Sequence, residues 1–182
     1  MKILQKICFV LLLTTFSSVY GGDCWDGDVD DCRVRAEYRD VRAQFYLGWM
    51  YYKGLGVDQD YKEAVKWFKK SAEQGYANAQ YNLGVLYEDG QGVRKDYKQA
   101  FKWTRKSAEQ GYTKSQYKLG LIYGLGKGVL KDYVMAHMYL SIAVVSGHKS
   151  AINNRGDVEK KMTSSEIEKA QDLAREWMRN HQ

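Results

Sequence analysis

Proline is absent from this chain of 182 residues, although average usage of about 5% would supply roughly nine prolines. Because the chain also contains 17 glycines, this absence excludes collagen-like, proline-rich and mucin-like proteins. Three cysteines are too few for a small disulfide-dense protein. The aromatic content of 14% and the net charge of +6 argue against intrinsic disorder. The composition therefore indicates a folded chain with a sizeable core.

The longest apolar run lies at the N-terminus and has the three parts of a secretory signal peptide. Two lysines precede the run at residues 7–16, and a tail rich in small residues follows at 17–22. The run is too short to span a bilayer. We therefore predict a cleavable signal peptide at residues 1–22 and a periplasmic or secreted protein with no stable membrane insertion. A buried N-terminal helix is the alternative interpretation.

Removal of the signal peptide changes the cysteine count and the charge. Cys8 is lost, Cys24 and Cys32 remain, and 26 basic and 22 acidic residues give a net charge of +4. An even pair of cysteines in an exported protein predicts one disulfide, which would constrain the N-terminal segment of residues 23–42. A two-thiol metal site is the alternative, but no histidine lies nearby. A lipoprotein is excluded because Asp23, rather than a small residue, precedes Cys24.

An internal repeat of 36 residues organises the rest of the chain. The first two units match at 21 of 36 positions without a gap, and the second and third units match at 13. An incomplete fourth unit follows at residues 151–182. The three full units are residues 43–78, 79–114 and 115–150.

The shared pattern is A-Q-x-x-L-G-x-x-Y-x-x-G-x-G-V-x-x-D-Y-x-x-A-x-x-W-x-x-x-S-A-E-Q-G-Y, which resembles the Sel1-like repeat, a relative of the tetratricopeptide repeat. The resemblance covers residues 43–180. It implies an all-α solenoid in which paired helices form a superhelix that acts mainly as a protein-binding scaffold. In solenoids of the tetratricopeptide type, the first helix of each pair lines the concave groove.

The residues within each unit independently predict two helices. The first helix is expected at about 41–53, 77–89 and 113–125, and the glycine that follows each of these ranges should end it. Its apolar face carries Ala43, Leu47, Met50 and Tyr51. The second helix should begin after an N-cap aspartate, namely Asp60, Asp96 or Asp132, and we expect Glu63 and Gln99 to complete capping boxes. Its core residues are Ala64, Trp67, Phe68 and Ala72, with Trp103 equivalent to Trp67.

One glycine of each unit lies inside the first helix, where glycine costs about 1 kcal/mol relative to alanine. We interpret its recurrence as a close approach by a neighbouring helix that leaves no room for a Cβ atom. The four positions are Gly48, Gly84, Gly120 and Gly156.

The C-terminal unit departs from the pattern, because Arg155 replaces the repeat leucine and no G-x-G-V loop follows. Thr163 and Glu166 instead form a capping-box pattern for a last helix at about 164–180. Its apolar stripe and charged remaining faces are typical of a helix that caps a solenoid. The stripe consists of Ile167, Ala170, Leu173, Ala174 and Trp177.

Patterns that would indicate catalysis or cofactors are weak. The S-x-x-K pattern occurs at Ser115 and at Ser146, but the S-D-N and K-T-G patterns that accompany it in penicillin-recognising enzymes are absent. The three histidines share no metal-ligand spacing, and the glycine-rich stretch at 124–128 aligns with the repeat turn. We therefore expect no catalytic residue, cofactor or metal, and no nucleic-acid partner, because charges of both signs are interspersed.

Positions that vary between units on the first helix are free to serve recognition. The stripe Tyr46, Trp49 and Lys53 becomes Asn82, Val85 and Asp89, and then Lys118, Leu121 and Leu125. By the resemblance, this stripe would face a bound protein or peptide, and its mixture of aromatic and charged residues is typical of interfaces. The candidate partner-binding residues are Tyr46, Trp49, Lys53, Asn82, Asp89 and Lys118. The alternative is that Trp49 packs against the segment around the two cysteines.

The sequence thus predicts an exported, monomeric, non-enzymatic scaffold that binds a protein or peptide partner. The alternative function is a periplasmic hydrolase or binder of β-lactams or peptidoglycan fragments, because the resemblance includes cysteine-rich Sel1-like proteins that have been linked with penicillin binding or hydrolysis. The sequence does not decide between an envelope adaptor, a host-interaction factor and a toxin inhibitor.

Overall fold

A computed structural model describes Cys24 and residues 29–181. The predicted signal peptide at residues 1–22 lies outside these described residues. The described part of the chain contains helices and no strands. The helices are α1 (Val29–Glu37), α2 (Val41–Lys53), α3 (Tyr61–Glu73), α4 (Ala77–Asp89), α5 (Tyr97–Glu109), α6 (Thr113–Leu125), α7 (Tyr133–Val145), α8 (Lys149–Glu159) and α9 (Ser164–Asn180).

Three helix pairs stack in chain order to form an all-α superhelix. The pairs are α2 with α3, α4 with α5, and α6 with α7, and the second helix of each pair also packs against the first helix of the next. The expected core residues are buried, including Leu47, Phe68 and both Trp67 and Trp103. Within the described residues, no helix is long and apolar enough to cross a membrane.

The ends of the paired helices follow the predicted pattern. Gly54, Gly90 and Gly126 have φ values of 70°, 74° and 70° and end α2, α4 and α6 in the left-handed conformation. The side chains of Asp60, Asp96 and Asp132 accept hydrogen bonds from backbone N–H groups in the first turns of α3, α5 and α7.

The capping boxes predicted for Glu63 and Gln99 are wrong. The carboxylate of Glu63 instead accepts hydrogen bonds from Lys66 Nζ at 2.9 Å and from the indole N–H of Trp67 at 3.1 Å. Those two donors lie one turn along the helix and compete with the N-cap backbone for the same oxygens. Among the described residues, the reciprocal box is formed only between Thr163 and Glu166 at the start of α9.

The glycine inside the first helix of each pair marks a close helix crossing, as predicted, at three of its four positions. A Cβ atom at Gly48 would lie 2.8 Å from Phe68 Cδ1, and one at Gly84 would lie 2.7 Å from Thr104 Oγ1. A Cβ at Gly120 would lie 2.7 Å from Leu140 Cγ. The prediction is wrong for Gly156, which has nothing within 4 Å, because no second helix crosses α8 at that point.

Buried polar side chains join successive repeats, a feature that the hydrophobic pattern does not reveal. Gln44 donates its amide to the carbonyl of Ala36 at 3.0 Å and accepts from Gln74 Nε2 at 2.7 Å. Gln80 repeats this arrangement with Ala72 and Gln110, at 3.1 and 2.7 Å. Each glutamine therefore satisfies a carbonyl at the end of the helix that precedes its own.

The N-terminal segment contains a helix, α1, that the sequence analysis did not predict. Cys24, Cys32 and Ala36 pack with Ala43 and Leu47 into a core cluster. Both cysteines are buried free thiols, so the predicted disulfide is not formed in this structure. The two side chains are nonetheless hydrogen-bonded to each other, and burial raises the pKa of both thiols.

The C-terminal helices close the other end of the stack. Helix α9 packs against α7 and buries Ala170 and Ala174, with Leu173 and Trp177 half-buried beside them. The buried imidazole of His137 on α7 bonds to Glu159 of α8 at 2.7 Å. The predicted last helix is therefore present with the predicted limits.

Candidate partner-binding site

Three of the six predicted partner-binding residues line one cavity between α2 and α4. Trp49 and Lys53 project from α2, and Asn82 projects from α4. The cavity has a volume of about 210 Å³, and Val85 contributes to its wall. These residues meet because each lies on the variable stripe of its own first helix and the stack brings two such stripes side by side.

The aromatic wall of this cavity is held together by ring contacts and one cation. The rings of Trp49 and Tyr52 are 5.6 Å apart between centroids. Lys53 Nζ lies 5.1 Å from the Trp49 ring and 5.2 Å from the Tyr52 ring. A cation within about 6 Å of an aromatic face is attracted to it. The site therefore presents a positive charge beside two partly exposed rings.

Tyr46 lies apart from this cavity. It packs against the core cluster that contains Cys24 and Cys32, and its ring is 5.4 Å from that of Phe45. Trp49 packs instead against the cluster around Phe68 and Leu83 in the first two repeats. Of the two residues, Tyr46 and not Trp49 therefore packs on the cluster to which the two cysteines belong.

Lys118 belongs to a separate ionic cluster. Its ammonium pairs with the carboxylate of Glu88, which also pairs with Lys127 at 3.2 Å. Burial acts to raise the pKa of Glu88, but the two ammonium groups outweigh it and hold the pKa below its usual value. Asp89, the next residue along, is exposed at the end of α4 and does not line the cavity.

Two tyrosines at the cavity were missed by the sequence analysis. Tyr52 and Tyr81 both contribute to its wall, and burial, followed by the nearby carboxylate of Glu88, raises the pKa of Tyr81. Tyr81 also packs edge-on against Tyr112 with centroids 5.5 Å apart. The sequence signal for Tyr81 is the aromatic residue that follows the A-Q or S-Q pair in each unit. This residue packs against the aromatic N-cap residue of the first helix in the following unit, as Tyr81 does against Tyr112.

The S-x-x-K pairs do not form a nucleophile and base. Ser115 is fully buried and its hydroxyl donates to Ser107 Oγ at 2.7 Å, while Lys118 pairs with Glu88. The hydroxyl of Ser146 donates to Gln116 Oε1 at 3.2 Å. No group of three or more potential metal ligands occurs in the part of the chain that the structure describes.

Comparison with known proteins identifies the repeat. The pattern described as Sel1 repeat matches residues 41–76, 77–112 and 113–148. Each matched unit begins two residues before the corresponding 36-residue unit of the sequence pattern, at the first residue of α2, α4 or α6. Repeats of this family generally mediate protein–protein interactions and typically form non-catalytic scaffolds.

Two solved structures are similar to the chain over most of its length. A Sel1 repeat protein from Oxalobacter formigenes is 39% identical, with a TM-score of 0.64, over 65% of this chain and 49% of that one. A protective antigen of uropathogenic Escherichia coli strains, described as displaying an SLR fold, is 31% identical, with a TM-score of 0.65, over 84% of this chain and 41% of that one.

The curated relative shares only a short segment with the chain. A sel1-like repeat-containing protein of Acanthamoeba polyphaga mimivirus is 38% identical over 45 residues, which are 25% of this chain and 8% of that protein. The chain thus spans half or less of each of these three relatives. The three matched repeats, together with the helix pairs that they form, show that the chain belongs to the Sel1 repeat family.

Proposed function

We propose that this protein is an exported scaffold that binds a protein partner through the face carried by α2 and α4. The observation that carries the proposal is the cavity of about 210 Å³ between Trp49, Lys53 and Asn82. Interface hot spots combine aromatic anchors with charged groups in small pockets. The repeat units differ at these positions, so the fold itself does not require these side chains.

The dimensions of the cavity suggest what it would receive. Ligand pockets for small molecules usually enclose about 300–1,000 Å³, so this cavity suits one side chain of a larger partner. The rings of Trp49 and Tyr52 offer apolar faces to an aliphatic or aromatic side chain. Lys53 and the amide of Asn82 would fix its orientation by contacting polar groups beside it.

A site-specific photocrosslink tests whether a partner occupies this cavity. We expect a photoreactive amino acid placed at Val85 to crosslink one discrete protein in the producing cell or its medium. The same group at Leu130, an exposed residue of the loop before α7, serves as control. Crosslinking at both positions alike, or at neither, would contradict the proposal.

Point variants then test the residues with the identified partner. We expect Trp49→Ala to weaken binding by at least about tenfold, because hot-spot truncation costs 2 kcal/mol or more. Tyr38→Ala is the matched control, since Tyr38 is an aromatic residue with 85% of its surface exposed outside this face. Equal affinities of the two variants would remove Trp49 from the site.

Export is the second part of the proposal, and the signal-peptide pattern at residues 1–22 supports it. In a periplasmic or extracellular environment, Cys24 and Cys32 would form a disulfide, and their hydrogen-bonded thiols are already adjacent. Because a buried thiol can escape labelling in the folded protein just as a disulfide does, the test is alkylation of the mature protein after denaturation without reductant. We expect no labelled cysteine, and two labelled cysteines would exclude the disulfide.

A further inference from the structure

A second and larger cavity lies between α3, α5 and the loop that joins α4 to α5. Its volume is about 1020 Å³, and it shares no residue with the cavity between α2 and α4. The family resemblance assigns recognition to the concave face of the first helices. This cavity is built mainly from second helices and a loop, so a different ligand would have to occupy it.

Cations dominate the wall of this cavity. Five basic side chains line it, namely Lys69, Arg94, Lys95, Lys98 and Lys102. The two acidic side chains are already engaged: Asp96 caps α5 through the backbone N–H groups of Lys98 and Gln99, and Glu73 lies 3.9 Å from Lys69. Within the described part of the chain, the other four cations form no ion pair.

The neighbouring repeats show that the fold does not require these charges. At the position of Arg94, the first repeat has Asp58 and the third has Leu130. At the positions of Lys98 and Lys102, the first repeat keeps Lys62 and Lys66, whereas the third has Val134 and Met138. The helix pair therefore forms without these charges, and only the second repeat carries a basic residue at all four positions of Arg94, Lys95, Lys98 and Lys102.

Aromatic rings complete the wall. Tyr97 is 38% exposed, and Lys95 and Lys127 approach its ring to 5.5 and 5.7 Å. The Trp103 ring also lines the cavity and has Lys102 Nζ 5.9 Å from its centroid. The cavity thus combines unpaired ammonium and guanidinium groups with apolar ring surface.

We propose that this cavity, which we call the cationic cleft, binds an acidic segment of a protein partner. Unpaired cations around a cleft attract a ligand of the opposite charge and accelerate its association. Lysine ammonium groups have no fixed bonding plane, so they suit carboxylates whose spacing varies along a chain segment. The cleft is open and large enough for several residues of an extended segment.

Nucleic acid fits the same cleft less well. A nucleic-acid backbone carries one phosphate at each regular step and is met by a continuous basic stripe. Here the basic row is interrupted on both sides at the position of Arg94, because the neighbouring repeats have Asp58 and Leu130 there. The exposed ring of Tyr97 would instead contact the aliphatic part of a glutamate side chain.

The test is fluorescence anisotropy of a labelled peptide of six alternating glutamate and aspartate residues, titrated with the purified protein. We expect saturable binding that weakens as salt rises, because exposed charge interactions are screened. The triple variant Arg94→Gln/Lys98→Gln/Lys102→Gln should lose at least about tenfold in affinity. Amide resonances of residues 94–103 and the Trp103 indole N–H should shift on binding in the unmodified protein.

The matched control removes the same charge elsewhere. Lys149→Gln/Lys161→Gln/Lys169→Gln changes three exposed lysines near the C-terminus, and we expect it to bind the peptide nearly as well as the unmodified protein. Circular dichroism establishes that both variants are folded. Equal losses in the two variants, or equal binding of a glutamine–asparagine peptide, would overturn the proposal. So would absence of binding at low salt, or preferential binding of an oligonucleotide of the same charge.

The cationic cleft does not depend on the proposed function of the α2–α4 face. Trp49→Ala should leave acidic-peptide binding unchanged, and the triple cleft variant should leave crosslinking at Val85 unchanged if the partner uses that face alone. Loss of acidic-peptide binding in Trp49→Ala would show that the two cavities are not separate sites.

Discussion

Gly120 and Gly156 occupy the same position in successive repeats but meet different neighbours. A Cβ at Gly120 would lie 3.1 Å from the carbonyl oxygen of Ala136 as well as 2.7 Å from Leu140, whereas Gly156 has open space around it. We expect Gly156→Ala to raise the free energy of unfolding by up to about 1 kcal/mol, the helix-propensity difference. Gly120→Ala should lower it by about 1–3 kcal/mol through overpacking.

Chemical denaturation of both variants checks the opposite signs. A stabilising Gly120→Ala would mean that the helix crossing can relax by the few tenths of an ångström that the methyl group needs. A destabilising Gly156→Ala would mean that α8 is packed more closely than the structure has it. The sequence alone cannot separate the two positions, because the difference lies in a neighbouring helix and not in the repeat pattern.

The carboxylate of Glu88 gives the ionic cluster a pH dependence. Its pKa is lowered in the folded protein, because Lys118 and Lys127 outweigh the effect of burial, so its stabilising contribution is complete above the ordinary pKa of glutamate. That contribution is lost as the pH falls through the lowered folded-state value. We expect Glu88→Gln to cost about 1 kcal/mol at neutral pH and progressively less in acid.

Thermal unfolding as a function of pH measures this difference. Glu168→Gln is the control, because Glu168 is exposed on α9 and has no ion pair among the described residues. A Glu88→Gln penalty that stays constant down to about pH 3 would show that the cost arises from lost packing and not from charge.

Among the elements of the fold, the loop before the second helix of a repeat packs closely against the backbone of the preceding repeat. Gly92 and Gly111 both have positive φ, at 69° and 83°, so alanine at either position meets similar backbone strain. A Cβ at Gly92 would also lie 2.1 Å from the carbonyl oxygen of Tyr61 in the preceding repeat, whereas Gly111 has nothing within 4 Å. We expect Gly92→Ala to be the more destabilising by about 2 kcal/mol or more.

Denaturant midpoints of the two variants measure the contribution of the contact between repeats separately from the backbone strain. Equal destabilisation would indicate that the loop moves away from α3 without cost. Gly128 repeats the arrangement against Tyr97, at 2.2 Å, so Gly128→Ala should behave as Gly92→Ala does.

The sequence predicts best those helices that have apolar residues at regular spacing and also a glycine or capping residue that marks an end. The limits of α2, α4, α6 and α9 agree with the predicted ranges, because glycine or a capping residue marks an end of each. Helix α1 lacked such signals, since Cys32 and Ala36 are its only buried residues and its burial comes from the repeat that follows. An element that is stabilised mainly by its neighbours leaves little periodicity in its own sequence.

The sequence pattern indicates which helix face carries the candidate site, but it does not indicate which neighbouring side chains each residue of that face contacts. Trp49, Lys53 and Asn82 of the variable stripe line one cavity, because the first helices of successive repeats lie side by side. Which stripe residues turn to other contacts depends on side chains outside the stripe. Tyr46 packs on the core cluster that contains the two cysteines, and Lys118 pairs with Glu88, which has no equivalent acidic residue in the other repeats.

Across the whole molecule, the core is a row of buried clusters that runs from the cysteine segment to α9. A repeat stack of this kind is stabilised between neighbouring units, so a defect at one end should weaken that end first. Helix α9 covers the buried residues Met138, Tyr139 and Ile142 at the C-terminal end. Its removal from α7 would expose that cluster to solvent.

Ala174 offers a direct test, because it is 3% exposed and packs in this cluster. We expect Ala174→Glu to lower the free energy of unfolding by about 3 kcal/mol or more, since it buries a carboxylate without a partner. Gln171→Glu is the matched control, because it adds the same charge at an exposed position of the same helix. That variant should change stability by no more than about 0.5 kcal/mol.

Hydrogen exchange resolves where the stability is lost. In the Ala174→Glu protein, amides of α7 and α9 should exchange faster, while those of α2 and α3 keep most of their protection, because the pair α4 and α5 lies between the two ends of the stack. Equal loss of protection in α2 and α7 would mean that the array unfolds as one cooperative unit. In that case the contacts between repeats, including the Gln80 bridge to Ala72, are strong enough to transmit a defect across all three pairs.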